Sequence, residues 1–312
     1  MDEEFGKDTP EWGGHGGREV GHVSVLLKEA IDFLAVQRGG TYIDATVGLG
    51  GHSYEIARRL GAPGHLIGVD KDPAALELAR ERLQPSGELP RDWPQITLLH
   101  GSFAEIGERF ASASADGLLA DLGVSSLQLR DAKRGFSFQA EGALDMRMNP
   151  QAELTAEQVV NRVDERTLAD VIYEFGEERR SRRIARAIVR SRPIRTSTQL
   201  AEVIAAAARP MKAERIHPAT RTFQALRIFV NRELDDLQAL LKVAPRVLKP
   251  GGRLVIISFH SLEDRIVKDA LRDGVKQNHY RLLTKKPVTP GVEEIDRNPR
   301  SRSAKLRAAE RV

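Results

Sequence analysis

Glycines and carboxylates at the ends of predicted strands are the residues of this chain best suited to chemistry. Residues 41 to 53 read TYIDATVGLGGHS, a short apolar strand that runs into Gly48, Gly50 and Gly51 before a helix begins. Such a turn lets the backbone approach a ligand closely. A second apolar run, GHLIGVD, ends in Asp70, 20 positions after Gly50. An acid at about that spacing binds ribose hydroxyls, so the two stretches predict a nucleotide or nucleoside site.

Asp44 and Ser53 bear on which ligand this turn holds. A dinucleotide fingerprint has its third glycine where this chain has Ser53. Asp44, at the end of the first strand, would face the anionic pyrophosphate of NAD or FAD, which is unfavourable. S-adenosylmethionine carries a sulfonium and an amino group and no phosphate, so it suits such an acid. An S-adenosylmethionine site is therefore favoured, and an NAD-dependent oxidoreductase is the less favoured alternative.

Two further candidates follow predicted strands at the same edge of the sheet. Asp121 ends the strand in LLADLGVSS, and Phe103 follows the strand that ends at His100. Ligands of open α/β sheets bind at the carboxyl ends of strands. Asp121 is therefore a candidate catalytic carboxylate, and Phe103 a candidate for stacking on adenine. The alternatives are that Asp121 caps the following turn through Ser125 or Ser126 and that Phe103 is a core residue.

His260 follows a later strand, in SFHSLEDR. Here Ser261 is expected to be a helix N-cap, with Asp264 as its capping-box partner. No His, Asp or Glu cluster has metal-binding spacing, and no Gly-x-Ser-x-Gly elbow is present. We therefore expect neither a metal site nor a serine nucleophile of that kind.

Arginines are concentrated in RRSRRIARAIVRSRPIR, residues 179 to 195, which holds eight arginines and no acid. Because a solvated helix face normally mixes both signs of charge, this run predicts an anionic partner. Arginine binds phosphate through paired hydrogen bonds, and the lack of aromatics favours backbone phosphates over stacked bases. A second basic run, 297 to 311, could be no more than a soluble chain end. The candidate RNA contacts are Arg179, Arg180, Arg182, Arg183, Arg186, His217 and Arg221.

Strand and helix signals alternate along the chain as in a parallel α/β sheet. Strands are predicted at 41 to 46, 64 to 69, 95 to 99, 116 to 122, 253 to 259, 279 to 284 and 303 to 308, and helices at 51 to 60, 73 to 83, 103 to 111 and 223 to 247. The alternation stops between 125 and 222, where residues 154 to 209 read as helical, with start signals at Thr155 and Thr196. Asp145 and the stretch HPATRTFQ at 217 to 224 flank this predicted insertion, where they line a cleft or satisfy a hinge.

Composition excludes several classes of protein. Of the 312 residues, 41% are apolar, and none is cysteine, which excludes disulfides, thiolate metal sites and thiol nucleophiles. No apolar run reaches the ~18 residues of a membrane span, and residues 1 to 20 do not resemble a signal peptide. We expect a cytoplasmic protein with a disordered tail at residues 1 to 20. The 48 basic and 44 acidic residues nearly balance, so any nucleic-acid surface depends on where the basic residues lie.

Longer blocks resemble one protein family. GHVSVLLKEAIDFL, DATVGLGGHS, GVDKDP, DLGVSSLQL, HPATRTFQALRIFVN and LKPGGRLVIISFHSLEDRIVK are similar to the MraW (RsmH) family, and the resemblance runs from about Gly21 to Arg311. That family methylates N4 of a cytidine in small-subunit (16S) ribosomal RNA, with S-adenosylmethionine as the cofactor. The resemblance implies a class I, Rossmann-like α/β fold with a seven-stranded methyltransferase sheet. The methyltransferase domain would comprise residues 21 to 126 and 222 to 312, and an inserted helical substrate-recognition domain residues 127 to 221.

The resemblance also implies site residues. Cofactor contacts would fall on Gly50, Gly51, His52, Asp70, Phe103, Asp121 and Gln128. The motif DLGVSS lacks the Asn/Asp-Pro-Pro-Tyr box with which many amino-methyltransferases hold the target nitrogen, so the catalytic residues follow less directly.

The expected reaction is direct methyl transfer to an exocyclic cytosine amine, helped by alignment and by an acceptor for an amine hydrogen. Asp121 is the predicted acceptor, and Asp145, His217 or His260 is expected to hold a base extruded from its stack. The expected partner is ribosomal RNA or the small ribosomal subunit, and a homodimer is left open. A non-catalytic, cofactor-sensing RNA-binding factor of ribosome assembly is the alternative function.

Overall fold

The computed structural model describes residues 24 to 85, 90 to 208 and 216 to 312. The predicted tail at residues 1 to 20 lies outside them. The strands are β1 (Thr41–Asp44), β2 (His65–Asp70), β3 (Gln95–His100), β4 (Ala115–Asp121), β5 (Leu248–Ser258), β6 (Tyr280–Leu282) and β7 (Lys305–Arg311). The helices are α1 (Leu27–Leu34), α2 (Gly51–Leu60), α3 (Pro73–Leu83), α4 (Ile106–Arg109), α5 (Ser126–Arg130), α6 (Ala156–Arg162), α7 (Glu165–Gly176), α8 (Ser181–Arg190), α9 (Ser197–Ala207), α10 (Thr220–Asn231), α11 (Glu233–Val247), α12 (Ser261–Lys276) and α13 (Val292–Arg297).

The seven strands form one sheet in the order β3-β2-β1-β4-β5-β7-β6. β1 to β5 pair in parallel, and β7 is antiparallel to β5 and β6. β5 begins earlier than predicted, because Leu248 already pairs with Ala115. The connections of the parallel strands diverge between β1 and β4, and such a point opens a crevice at the carboxyl ends of the strands. The predicted α/β class and seven-stranded sheet are confirmed.

Neighbouring residues of β1 anchor the two layers of helices. Tyr42 is buried on one face of the sheet, among side chains of α1, α2 and α3. Ile43 is buried on the other face, beneath α11 and α12. Successive side chains of a strand point to opposite faces, so one short strand belongs to both cores. Full burial of a side chain such as Ile43 contributes roughly 1.5–3 kcal/mol.

The helices α6 to α10, here called the helical lobe, share a separate apolar core. Its fully buried side chains include Ile172 of α7, Ile184 and Ile188 of α8, and Leu226 of α10. The helices predicted between 154 and 209 are therefore confirmed. α10 packs with the lobe although all but its first two residues lie beyond the predicted end of the insertion at residue 221. The predicted division into domains stays a prediction.

The single helix predicted at 223 to 247 is wrong. The chain breaks at Arg232, whose φ of 53° lies in the left-handed region. Arg227 donates across the break to both oxygens of Glu233, at 2.8 and 2.9 Å. The side chain of Asn231 donates to the carbonyl of Met146 and accepts from the amide of Met148, each at 2.7 Å. These bonds fix the turn between the lobe and α11, and no glycine or proline marks it in the sequence.

Within the described ranges, none of the helices is long and apolar enough to cross a membrane. The expected cytoplasmic location stays a prediction.

Asn231→Ala is expected to lower the free energy of unfolding by about 1–3 kcal/mol, because it leaves the Met146 carbonyl and the Met148 amide without their partner. Urea unfolding measures the change. Gln151→Ala, at an exposed position, is the control and should change stability by less than about 0.5 kcal/mol. Equal values for the two variants would contradict the role assigned to Asn231.

Candidate active site

A cavity of about 410 Å³ lies at the carboxyl ends of β1, β2 and β4. Six of the predicted cofactor residues line it, namely Gly51, His52, Asp70, Phe103, Asp121 and Gln128. Gly50 does not line it; it is the N-cap of α2, with a φ of 76°. A Cβ on Gly51 would meet the hydroxyl of Ser24, so a larger residue fits there only if the Ser24 side chain moves. The fold therefore gathers nearly the whole predicted set at the point where the chain connections diverge.

Asp70 fastens the glycine turn to the end of β2. Its Oδ2 accepts from the amide of Gly48 at 2.8 Å, and its Oδ1 accepts from the amide of Asp72 at 2.9 Å. The φ of Gly48 is 52°, which glycine adopts without strain. Burial raises the pKa of Asp70, although the amide bonds oppose it. Each carboxylate oxygen can accept a further hydrogen bond, such as one from a ribose hydroxyl.

Asp44 lies beneath the cavity and is 1% exposed. Its Oδ2 accepts from the hydroxyl of Ser53 at 2.6 Å, and its Oδ1 accepts from the amide of Thr46 at 3.1 Å. Burial, opposed in part by these bonds, raises the pKa of Asp44 to about 6. The prediction that Asp44 faces the ligand directly is wrong, because β1 buries its carboxylate beneath the turn. Its charge still acts on the cavity, since buried charges are weakly screened.

Asp121 is the cavity acid whose carboxylate is least satisfied by hydrogen bonds from its surroundings. Its side chain is 24% exposed overall, with Oδ2 3.7 Å from Nδ1 of His52. Its Oδ1 is nevertheless buried and has no hydrogen-bond partner in the described part of the chain. Burial, together with the charges of Asp44 and Glu263, raises the pKa of Asp121 well above its usual range. Because a buried carboxylate without donors is costly, the site favours a ligand that brings a donor or a positive charge.

His52 does not supply that donor in its neutral form. The side chain is 6% exposed, and Nε2 lies 3.0 Å from the carbonyl oxygen of Val25. A carbonyl oxygen only accepts, so we assign the ring hydrogen of the neutral form to Nε2. Nδ1 then presents an acceptor, not a donor, toward Asp121.

His260 caps helix α12, the role predicted for Ser261. Its Nδ1 accepts from the amide of Glu263 at 3.4 Å, and Oε2 of Glu263 accepts from the amide of His260 at 3.3 Å. The predicted capping box of Ser261 and Asp264 is wrong, because the helix begins one residue earlier in register. Ser261 instead donates to Glu177 of the turn after α7.

Glu263 lines the cavity, whereas His260 does not. Nε2 of His260 lies 3.2 Å from Oε1 of Glu263, but the two are not aligned for a hydrogen bond. Burial alone would raise the pKa of Glu263, but His260, Arg227 and the amide of Phe259 together lower it. Glu263 is therefore a negative charge in the wall, and the predicted catalytic part of His260 stays a prediction.

Gln128 lines the cavity with its amide group already engaged. Its Oε1 accepts from the amide of Ser125 at 3.0 Å, and its Nε2 donates to the buried Asp72 at 2.9 Å. Ser125 is the N-cap of α5, so the alternative that Asp121 caps this turn is wrong. Gln128 supports the wall and retains one Nε2 hydrogen for a ligand.

Asp145 and His217 lie outside the cavity lining. Asp145 accepts from Arg147 through both oxygens, at 2.8 and 2.7 Å. Burial opposes it, yet these bonds hold the pKa of Asp145 below its usual range. The ring of His217 lies 4.7 Å from that of Phe138, and its Nδ1 accepts from the amide of Ala219 at 3.2 Å. Their predicted contacts with the base stay predictions.

α8 turns its arginines outward, while Ile184 and Ile188 lie in the core of the lobe. Exposed predicted contacts are Arg179, Arg182, Arg183, Arg186 and His217, whereas Arg221 is half-buried. Arg186 pairs with Glu165 at 3.2 Å. Arg180 and Arg221 both approach Glu178, at 3.0 and 3.9 Å, and Glu178 is 1% exposed. The outward face of α8 is thus basic, whereas Arg180 also has a structural bond.

Sequence reasoning missed several residues of the cavity wall. They are Lys71, Met148, Glu233, Phe259, Glu263 and residues 297 to 300. Glu263 had a detectable signal, since it is the third residue of a helix that directly follows a strand. Met148 and Glu233 reach the wall only through the turn that Asn231 fixes. In the described ranges, no group of three or more His, Asp or Glu side chains is placed to hold a metal ion.

Comparisons with known proteins show the family to which this chain is similar. The model of the MraW methylase family matches residues 19 to 312. A ribosomal RNA small subunit methyltransferase H of Koribacter versatilis is 72% identical over 302 residues, which are 96% of each chain. Proteins of the same name from Acidobacterium capsulatum and Sorangium cellulosum are 65% and 50% identical, covering 93% of this chain and 98% and 91% of theirs. The chain therefore belongs to the MraW methylase family.

Proposed function

We propose that this protein transfers a methyl group from S-adenosylmethionine to N4 of a specific cytidine in small-subunit (16S) ribosomal RNA. The observation that carries the proposal is a cavity lined by Asp70, Asp121 and Glu263, with Oδ1 of Asp121 lacking a hydrogen-bond partner among the described residues. Lys71 lines the same wall, but it pairs with Asp236 at 2.5 Å. Family membership and the names of the relatives support ribosomal RNA as the substrate.

The residues of the cavity fit this cofactor. Bound there, S-adenosylmethionine supplies a methyl group activated by a sulfonium. Asp44, Asp121 and Glu263 favour a positive charge at the carboxyl ends of β1 and β4. Asp70 can accept from ribose hydroxyls, and Phe103 lies in the wall beside it for contact with adenine. A dinucleotide would bring a diphosphate to the same acids, so the NAD-dependent alternative is disfavoured.

Asp121 is the group that can act on the target amine. The carboxylate of Asp121, which is 24% exposed and lines the cavity, can accept an N4 hydrogen, and this draws lone-pair density toward the methyl group. The ionised carboxylate is the stronger acceptor, and a positive charge held beside Asp121 favours that form. The acids therefore bind the donor and prepare the acceptor through the same electrostatics.

Alignment supplies most of the expected rate. Holding nitrogen, methyl and sulfur in line can provide roughly 7–11 kcal/mol of the barrier. The cytosine must leave its stack to reach the cavity. Phe259 lines the cavity, and a Cβ on Gly123 would lie 3.6 Å from its ring. Phe259 is therefore the aromatic group available to pack on the extruded base.

Mass spectrometry of small-subunit RNA incubated with the protein and isotopically labelled S-adenosylmethionine should find the label on N4 of one cytidine. Label at another atom would overturn the assigned reaction. Cofactor and RNA binding without any transfer would favour the assembly-factor alternative instead.

Asp121→Asn is expected to lower kcat by about 10²–10⁴-fold, because the amide cannot accept the amine hydrogen as a carboxylate does. Steady-state methylation with saturating cofactor measures this change, and calorimetry verifies that cofactor still binds. Asp116→Asn is the matched control, since Asp116 lies at the amino end of the same strand, where it pairs with Lys249 at 2.7 Å. Near-parental kcat in Asp121→Asn would remove Asp121 from the mechanism.

Asp121→Asn also tests the electrostatics of the cofactor-free protein. The pKa of Asp121 is higher in the folded protein than in the unfolded chain. Its contribution to folding stability is therefore complete at pH values below its pKa in the unfolded chain, and it is lost as the pH rises through its pKa in the folded protein. The variant should therefore be more stable than the parent at pH 8, with a gain that shrinks toward pH 4 in urea unfolding.

Asp145→Asn is the control of opposite sign for that experiment. The pKa of Asp145 is lower in the folded protein than in the unfolded chain. Its contribution to folding stability is therefore complete at pH values above its pKa in the unfolded chain, and it is lost as the pH falls through its pKa in the folded protein. This variant should lose stability at pH 8, and the loss should shrink at acid pH. The same sign of change in both variants would contradict the assignment.

Arg182→Ala combined with Arg183→Ala should weaken RNA binding for all sequences and lower the salt slope of the binding constant by about 2, one unit for each phosphate contact. Filter binding over a range of salt concentrations measures the slope. Arg272→Ala, which removes an exposed arginine paired with Asp269 on α12, should leave it unchanged. An unaltered slope in the double variant would exclude α8 from the RNA interface.

A further inference from the structure

The basic run at residues 297 to 311 divides into two parts in the fold. Arg307 and Lys305 pair with Asp264 at 2.7 and 3.2 Å. Arg311 donates to the carbonyl oxygen of Pro245 at 2.8 Å. These cations fasten β7 to neighbouring elements, so the sequence interpretation of a mere soluble chain end does not describe them.

Arg297 and Arg300, here called the rim arginines, are placed differently. Both are exposed, and both line the cavity that holds Asp121. Arg297 lies 3.5 Å from the exposed Glu293 on its own helix, a pairing worth little in water. Arg300 has no hydrogen bond or ion pair with any residue that the structure describes. Among the residues that the structure describes, neither rim arginine pairs with an acid of the cavity.

The backbone that carries the rim arginines is firmly seated. Oε1 of Glu294 in α13 accepts from the amide of Leu26 at 2.8 Å, which joins α13 to the start of α1. The hydroxyl of Ser301 donates to the carbonyl of Asn298 at 2.8 Å, and Ser301 is fully buried. Ala304 follows at 1% exposure. The two guanidinium groups are therefore presented by an ordered segment at a fixed edge of the cavity.

The charge of this edge is opposite to that of the interior. The interior acids suit a positively charged donor that contains no phosphate, so the donor's sulfonium gives no reason for exposed arginines beside it. An RNA strand whose cytidine enters the cavity must place its backbone at the opening. Arginine is the side chain best matched to phosphate. An exposed position also suits contacts that form and break with each substrate.

We propose that Arg297 and Arg300 bind the backbone phosphates next to the cytidine that enters the cavity, and so position that nucleotide for transfer. This inference rests on the proposed function. In this inference the rim arginines bind the phosphates next to the target nucleotide, and the arginines of α8 bind phosphates farther along the RNA. The donor's own carboxylate is the competing anion, and the experiment separates the two.

The test compares Arg300→Ala and the double variant Arg297→Ala/Arg300→Ala with the parent. Binding to unmodified small ribosomal subunits should weaken about tenfold for each arginine, since a charged hydrogen bond contributes about that much. The salt slope should fall by about one unit for each. The KM for the RNA substrate should rise, while the calorimetric Kd for S-adenosylmethionine should change less than about twofold.

Arg91→Ala is the matched control, because Arg91 is also exposed but precedes β3 at the opposite edge of the sheet. It should alter neither binding constant. Weakened cofactor binding with an unchanged RNA salt slope would assign the rim arginines to the donor's carboxylate and overturn the inference. If the parent protein methylates N4 but the variants show an unchanged salt slope of RNA binding, the inference about the rim arginines is overturned while the proposed function stands. A parent that transfers no methyl group to RNA would overturn the proposed function itself.

Discussion

Mutual repulsion among buried carboxylates is the constraint around which this site is built. Asp44 and Asp121 end adjacent parallel strands, and Glu263 approaches them from the first turn of α12. Burial is the main cause that raises the pKa of Asp121 well above its usual range, and the negative charges of Asp44 and Glu263 raise it further. A fold keeps such a cluster only where something offsets the repulsion. Protons do so in the absence of a ligand, and a positively charged donor molecule would do so in its presence.

The fold was predictable where local sequence patterns decide the structure. The alternation of apolar strands and helices predicted the sheet, and Gly48 and Gly50 predicted the turn after β1, because few residues other than glycine adopt left-handed φ. The break at Arg232 was not predictable in this way. It depends on bonds of Asn231 to Met146 and Met148, residues more than eighty positions away. The local pattern of apolar residues that predicts a helix gives no information about hydrogen-bond partners so far away in the sequence.

The candidate site divides along the same line. Asp70 and Asp121 could be found because each ends an apolar strand, and strand ends meet at one edge of a parallel sheet. The position of Asp44 beneath the cavity could not be found, since strand register decides which carboxylate faces inward. The N-cap of α12 was assigned to Ser261 instead of His260 for a subtler reason. A histidine can cap a helix through Nδ1 as a serine hydroxyl does, and the carboxylate at Glu263 rather than Asp264 fits the spacing of that cap.

Depth separates the acids of the cavity from the arginines that are expected to bind RNA. The acids lie in the interior, where solvent ions screen little, whereas the rim arginines and the arginines of α8 lie at the surface, within reach of counterions. Interactions with the cavity should therefore depend weakly on salt, and interactions with the surface strongly. A single chain can in this way hold a small cation tightly while it samples and releases a large polyanion. The sheet makes both possible, because its carboxyl edge buries one set of groups and the segments that pass over it expose the other.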